Sequence, residues 1–95
     1  MTVGYQAVQS IHAMREFIAC YPELDLEWYN NSNYIALLVV ENENELIKLL
    51  SKADKKCIKS AFFQEPDINN QITAIVLEPS LDSRRLCANL RLMGS

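Results

Sequence analysis

Apolar and polar positions alternate along the chain in a way that divides it into six elements. Ala7, Ile11, Met14 and Ile18 recur at spacings of four, three and four, and Val8 and Phe17 widen the stripe. Residues 5–20 are therefore expected to form a helix. Gly4 lets the chain turn sharply into it, and Pro22, just past the last periodic residue, is a stop signal. Residues 21–33 read as a connection with a short helical turn around Leu24–Tyr29. NNSN at 30–33 is a turn cluster whose short polar side chains bond the nearby backbone. YIALLVV at 34–40 is apolar on both faces, which suits a strand inside a sheet covered on both sides. Asn42, with Glu45 three residues on, has the form of a capping box, and Leu46, Leu49, Leu50 and Ala53 then make one helical stripe.

Residues 57–64, CIKSAFFQ, and 72–77, ITAIVL, read as two further strands. Between them EPDINNQ is a loop, because Pro66 lacks a backbone donor and Asn69 and Asn70 favour a tight reversal. The loop is too short for a crossover helix, so these strands are expected to be antiparallel neighbours. Ser80 or Asp82 can cap a last helix running to about Asn89. The order helix, strand, helix, strand, strand, helix predicts an α/β fold: a three-layer α/β/α arrangement with a small mixed sheet, in one domain spanning residues 1–95. Three strands make a thin platform, and a chain opening directly on a buried helix reads as a domain whose first strand is missing.

Composition narrows the picture. Ninety-five residues bury roughly 60–65% of the surface an unfolded chain exposes, so the core is small. At 49% apolar and 22% charged the chain has the make-up of a folded globule, not of a disordered segment. The longest apolar run, Ile35–Val40, is too short to span a bilayer, and no signal-peptide pattern opens the sequence. Cys20, Cys57 and Cys87 are odd in number and widely spaced, which argues against a disulfide framework or zinc site. They read as buried thiols in a reducing cytoplasm. The net charge of −3 lacks the positive field that drives nucleic-acid binding. Lysines do concentrate at Lys48, Lys52, Lys55, Lys56 and Lys59, as a solvated helix end or as a phosphate-binding patch.

Gly4, Ala7, Gln9, His12 and Ala13, in GYQAVQSIHA at 4–13, resemble the first helix of the type II peptidyl-tRNA hydrolases, where the pattern is roughly Gly-Lys-x-Ala-x-Gln-x-x-His-Ala. ENENELIKLL is similar to the acidic start of that family's next long helix, and FFQEPDINNQITAIVLEP to its strand-loop-strand. The likeness runs through essentially the whole chain in the same order. It departs from the family in four ways. Tyr5 stands where the family has a lysine; the loop aspartate maps to Glu65, with Asp67 as the alternative; one threonine beyond it has no clear counterpart, although Thr73 matches the threonine of the final strand; and the family's first strand has no counterpart. The opening MTVGYQ fits an internal methionine, a trimmed chain or a natural truncation.

What the resemblance implies is cleavage of the ester between a peptide and the 3′ end of tRNA, without a cofactor. Glu65 or Asp67 would orient or deprotonate the water, Thr73 or Gln9 would donate to the carbonyl oxygen, and His12 would hydrogen-bond or shuttle a proton. Gln9 and Tyr5 are binding candidates at the first helix, and Lys55 and Lys56 are candidates on the ground of their local positive charge alone, with tRNA or another RNA as partner. A phenol, however, cannot neutralise a phosphate. With the cation gone and the chain acidic, the favoured expectation is a divergent relative acting as a non-catalytic or altered binding module, with the hydrolase as alternative. Each residue also has a plainer reading. Gln9, His12 and Glu16, at i, i+3 and i+7, can form a locally bonded polar edge. Thr73 suits a strand by β-branching, and Glu65 and Asp67 are ordinary turn residues. Trp28, Tyr29 and Tyr34 can cover a core edge or form a partner surface. A missing first strand would leave Tyr34–Val40 or Ile72–Leu77 with an unpaired flank, so a homodimer, an exchanged segment or a rearranged monomer is expected.

Overall fold

The structure, a computed structural model, describes residues 2–93; Met1, on which the question of the true start turns, lies outside them. Helix α1 spans Val3–Cys20. Thr2, not Gly4, begins it: the Thr2 hydroxyl accepts the Tyr5 N–H at 3.1 Å, and Gly4 sits within the first turn. Pro22 ends α1 and also opens a second helix, α2 (Pro22–Asn30), longer than the single turn expected there. Asn33, in the left-handed region at φ 49°, closes the following turn.

Helix α3 (Glu43–Lys55) starts as the sequence suggests. Asn42 Oδ1 accepts the Glu45 N–H at 3.1 Å, while the Glu45 carboxylate turns outward to Lys48 instead of closing the box. Leu46, Leu49 and Leu50 are half-buried and Ala53 is fully buried. Strands β2 (Ser60–Glu65) and β3 (Gln71–Leu77) form the expected antiparallel hairpin, joined by a 3₁₀ turn at Pro66–Ile68 and by Asn69 and Asn70, both at φ 59°. Helix α4 (Leu81–Leu86) is capped by Ser80, whose hydroxyl accepts the Ser83 N–H. It ends short of Asn89, leaving room for a two-residue strand, β4 (Arg91–Leu92), that the sequence pattern does not reveal.

The fold is α/β, with four helices and small antiparallel sheets among the described residues. The sheet differs from the expected one. There is no single mixed sheet: β1 (Leu38–Val39) pairs only with β4, β2 pairs only with β3, and both pairings are antiparallel. Most of the apolar run expected as a buried strand lies outside any strand, with Tyr34 85% and Ile35 65% exposed. An apolar run can enter a sheet interior only if strands lie on both sides of it. Here β4 supplies one side, for two residues.

Helix α1 lies across both strands of the hairpin, and α3 packs chiefly on β3. Small residues on the helix (Ala13) and on the hairpin (Ala61, Ala74) are buried and allow close approach; Phe17, 2% exposed, fills the end of the contact. Burial of that ring stabilises the fold by about 1.5–3 kcal/mol. The buried face of α1 is not the predicted stripe. Gln9, Ala13 and Phe17 point inward, whereas Ile11 is 61% and Ile18 39% exposed. The two stripes are offset by roughly 135°, more than a third of a turn, at 100° per residue. The polar contacts of Gln9 account for the rotation.

Candidate functional site

Gln9 is the largest fully buried side chain among the described residues, at 1% exposure, and both ends of its amide are bound. Its Nε2 donates to Glu65 Oε2 at 2.9 Å, and its Oε1 accepts the Thr73 hydroxyl at 3.0 Å. The carboxylate can only accept and the hydroxyl donates, so this orientation of the amide satisfies all three groups. The second Glu65 oxygen, Oε1, accepts the Asp67 N–H at 3.3 Å and so caps the 3₁₀ turn.

Local structure explains how three distant residues meet. The ladder steps from Phe63 opposite Ala74 to Gln64 opposite Ile72, which leaves Thr73 as the extra residue of a β-bulge. Bulges re-aim side chains, and here the Thr73 hydroxyl is turned onto the α1 side of the hairpin. Glu65 is the last residue of β2, directly before the turn. The helix and the acidic hairpin therefore share one face, as the sequence reading requires.

His12, one turn after Gln9, does not join this network. Its half-buried ring stacks on Phe63, with centroids 4.6 Å apart and planes inclined by 17°. Among the described residues no hydrogen bond or ion pair links it to Glu65 or Asp67. The local bonds open to Gln9, His12 and Glu16 are not made either, since Gln9 is engaged across the fold. Tyr5 stands at the hairpin tip. Partial desolvation, then the negative charges of Glu65 and Asp67 and a hydrogen-bonding interaction with Glu65, raise its phenol above the ordinary value.

The lysines lie elsewhere. Glu43, at the start of α3, accepts the Ile72 N–H at 2.7 Å, which pins that helix end beside the bulge. Lys55 is twelve residues further on, about 18 Å along the axis at 1.5 Å per residue. Lys55 and Lys56 are exposed at the helix end that adjoins Ile58 and Lys59, at the opposite end of the hairpin. The groups gathered at the tip are instead acidic: Glu43, Glu65 and Asp67.

Two surface depressions lie apart from this network. One, of about 460 Å³, is lined by residues 39–41, Glu45 and residues 89–91, and a smaller one of about 210 Å³ lies beside Trp28 and Pro79. Every buried side-chain polar atom among the described residues has a partner. Among those residues no three His, Cys, Asp or Glu side chains gather as metal ligands, and no helix is long and apolar enough to cross a membrane. The cysteines are free thiols, but not buried as expected: Cys20 and Cys57 are exposed because each lies at the C-terminal end of a helix, and only Cys87 is half-covered. That cover raises the Cys87 thiol above its ordinary value. Of the aromatic trio, Tyr29 and Tyr34 are exposed, while the Trp28 indole donates to the Tyr34 carbonyl at 2.8 Å. No family model matches this chain, and no curated protein sequence matches it.

Proposed function

We propose that the chain is a divergent domain of the type II peptidyl-tRNA hydrolase superfamily in which the helix-on-hairpin site has become an internal brace, and that the protein acts as a binding or assembly module. One observation carries this reading. The two groups assigned to steady an oxyanion are consumed within the fold, since Thr73 donates to Gln9 and Gln9 donates to Glu65. An oxyanion site needs donors aimed at the position where charge develops. Among the described residues no cation pairs with Glu65: a tyrosine occupies the lysine position, and Lys55 and Lys56 sit at the far end of α3. An acidic tip also repels the phosphates of tRNA. Within this reading the β2–β3 hairpin corresponds to the family's strand-loop-strand, and the exposed free thiols Cys20 and Cys57 suit a reducing cytoplasm.

The hydrolase is the second reading. What favours it is Glu65, a half-buried carboxylate held in a fixed orientation by Gln9 and by the Asp67 N–H. In that case Glu65 would position the water, with Asp67 or His12 relaying the proton. Release of the peptide from an N-blocked aminoacyl-tRNA separates the two. The expected result is no turnover above a heat-killed control. Turnover that falls by orders of magnitude in Glu65→Gln or His12→Ala, with the fold intact, would establish the hydrolase instead.

A further inference from the structure

We propose that two copies of this chain associate by reciprocal strand addition, with Tyr34–Leu37 of one copy lying along the open edge of β3, at Ile75–Leu77, in the other. This names the partner for the assembly role above and rests on that reading.

Backbone accounting supplies the first half. Among the described residues Tyr34–Leu37 lies outside any helix, strand or turn and faces solvent, and the peptide groups of Ile35 and Ala36 make no hydrogen bond within the chain. The flanking groups are held. The Tyr34 carbonyl accepts the Trp28 indole, and the Leu37 carbonyl accepts the Met93 N–H at 2.8 Å. The segment is thus held at both ends with its central peptide groups unused.

The second half is the far edge of β3. Glu78 N–H bonds the Lys59 carbonyl, and alternation along an antiparallel ladder then turns the backbone groups of Leu77 and Ile75 away from β2. No other strand pairs with β3 among the described residues. Helix α3 packs on β3 and its Glu43 takes the Ile72 N–H, while the outward backbone groups of Ile75 and Leu77 make no hydrogen bond among the described residues.

Neither element carries the usual defences. YIALLVV and ITAIVL contain no charge, proline or glycine, the features by which exposed edges avoid pairing. Each copy holds one unpaired apolar segment and one unpaired apolar edge. A two-fold pair uses both at once and closes, leaving nothing to propagate a fibre. Any other partner would meet one of the two and leave its counterpart open.

Sedimentation of the full chain tests this. A dimer that dissociates on dilution is expected. Ala36→Pro removes an N–H that the monomer does not use, so the circular dichroism spectrum should stay unchanged while dimerisation weakens at least tenfold. Ile35→Lys should do the same by charge. Copies with Ala36→Cys, mixed with copies carrying Ile75→Cys, both with the native cysteines replaced by serine, should form a disulfide between chains. A monomer at every concentration, or a dimer indifferent to Ala36→Pro, would overturn the proposal; a proline-sensitive dimer in which the two introduced thiols never join would overturn its β3 half. The ester assay stands apart. A non-cleaving monomer removes this pairing but not the non-catalytic reading, and a cleaving dimer does the reverse.

Discussion

Gln9 Nε2 lies 2.9 Å from Glu65 Oε2, a hydrogen bond between residues 56 positions apart that ties α1 to the tip of the β2–β3 hairpin. With the Thr73 hydroxyl on the other end of the amide, it makes a three-residue chain at the only large polar side chain buried among the described residues. A buried group deprived of its partner loses more than the bond itself contributes.

Replacement of Gln9 by alanine should therefore destabilise the protein by about 1–3 kcal/mol, since Thr73 loses its acceptor and the Glu65 carboxylate its donor. Urea unfolding followed by circular dichroism measures the change as a lowered midpoint at constant slope.

The Thr73 hydroxyl should matter only through Gln9. Thr73→Val keeps the β-branched shape and should cost about 1–2 kcal/mol. In the double variant with Gln9→Ala the two losses should fall short of additive by about 0.5 kcal/mol or more. Strict additivity in a double-mutant cycle would show that the two side chains act separately.

Tyr5 gives a pH signature. Its phenol is raised in the folded state, so that state holds the proton more tightly than the unfolded chain. Stability is therefore fully present below the ordinary phenol range and declines as pH climbs from there through the raised value. Ultraviolet titration of the four tyrosines should show one late component, absent in Tyr5→Phe and moved earlier by Glu65→Gln.

Asn69 and Asn70 both hold φ at 59° in the hairpin turn. Asn70→Val should destabilise by about 1–2 kcal/mol, because a β-branched residue is poorly tolerated in the left-handed region. Asn70→Gly should be neutral or stabilising by thermal denaturation.

Legibility in the sequence followed the reach of each interaction. Helix α3 was readable because Asn42 and the leucine stripe act within a few residues of one another. The hairpin was readable because EPDINNQ is too short for any other connection. The rotation of α1 was not, since Ala7, Ile11, Met14 and Ile18 carry the stronger apolar signal, and what turns Gln9 inward are two partners beyond residue 64. Gln9, Thr73 and Glu65 were each marked as candidates, yet their bonding to one another was not, because nothing along the chain announces the bulge at Thr73. The run at 34–40 was misjudged as a full strand for a related reason: apolarity records what a segment needs and not whether a neighbour is there to supply it.

Because Gln9 of α1 precedes both of its polar partners by more than fifty residues, the order of assembly is constrained. As the chain leaves the ribosome, α1 emerges before the hairpin and cannot dock on it until the hairpin has been synthesised, and closing so long a loop slows folding. The hairpin and α3, adjacent in sequence, are placed to form the nucleus, with α1 locking last. A nascent chain stalled before residue 73 would then remain open to proteases along α1.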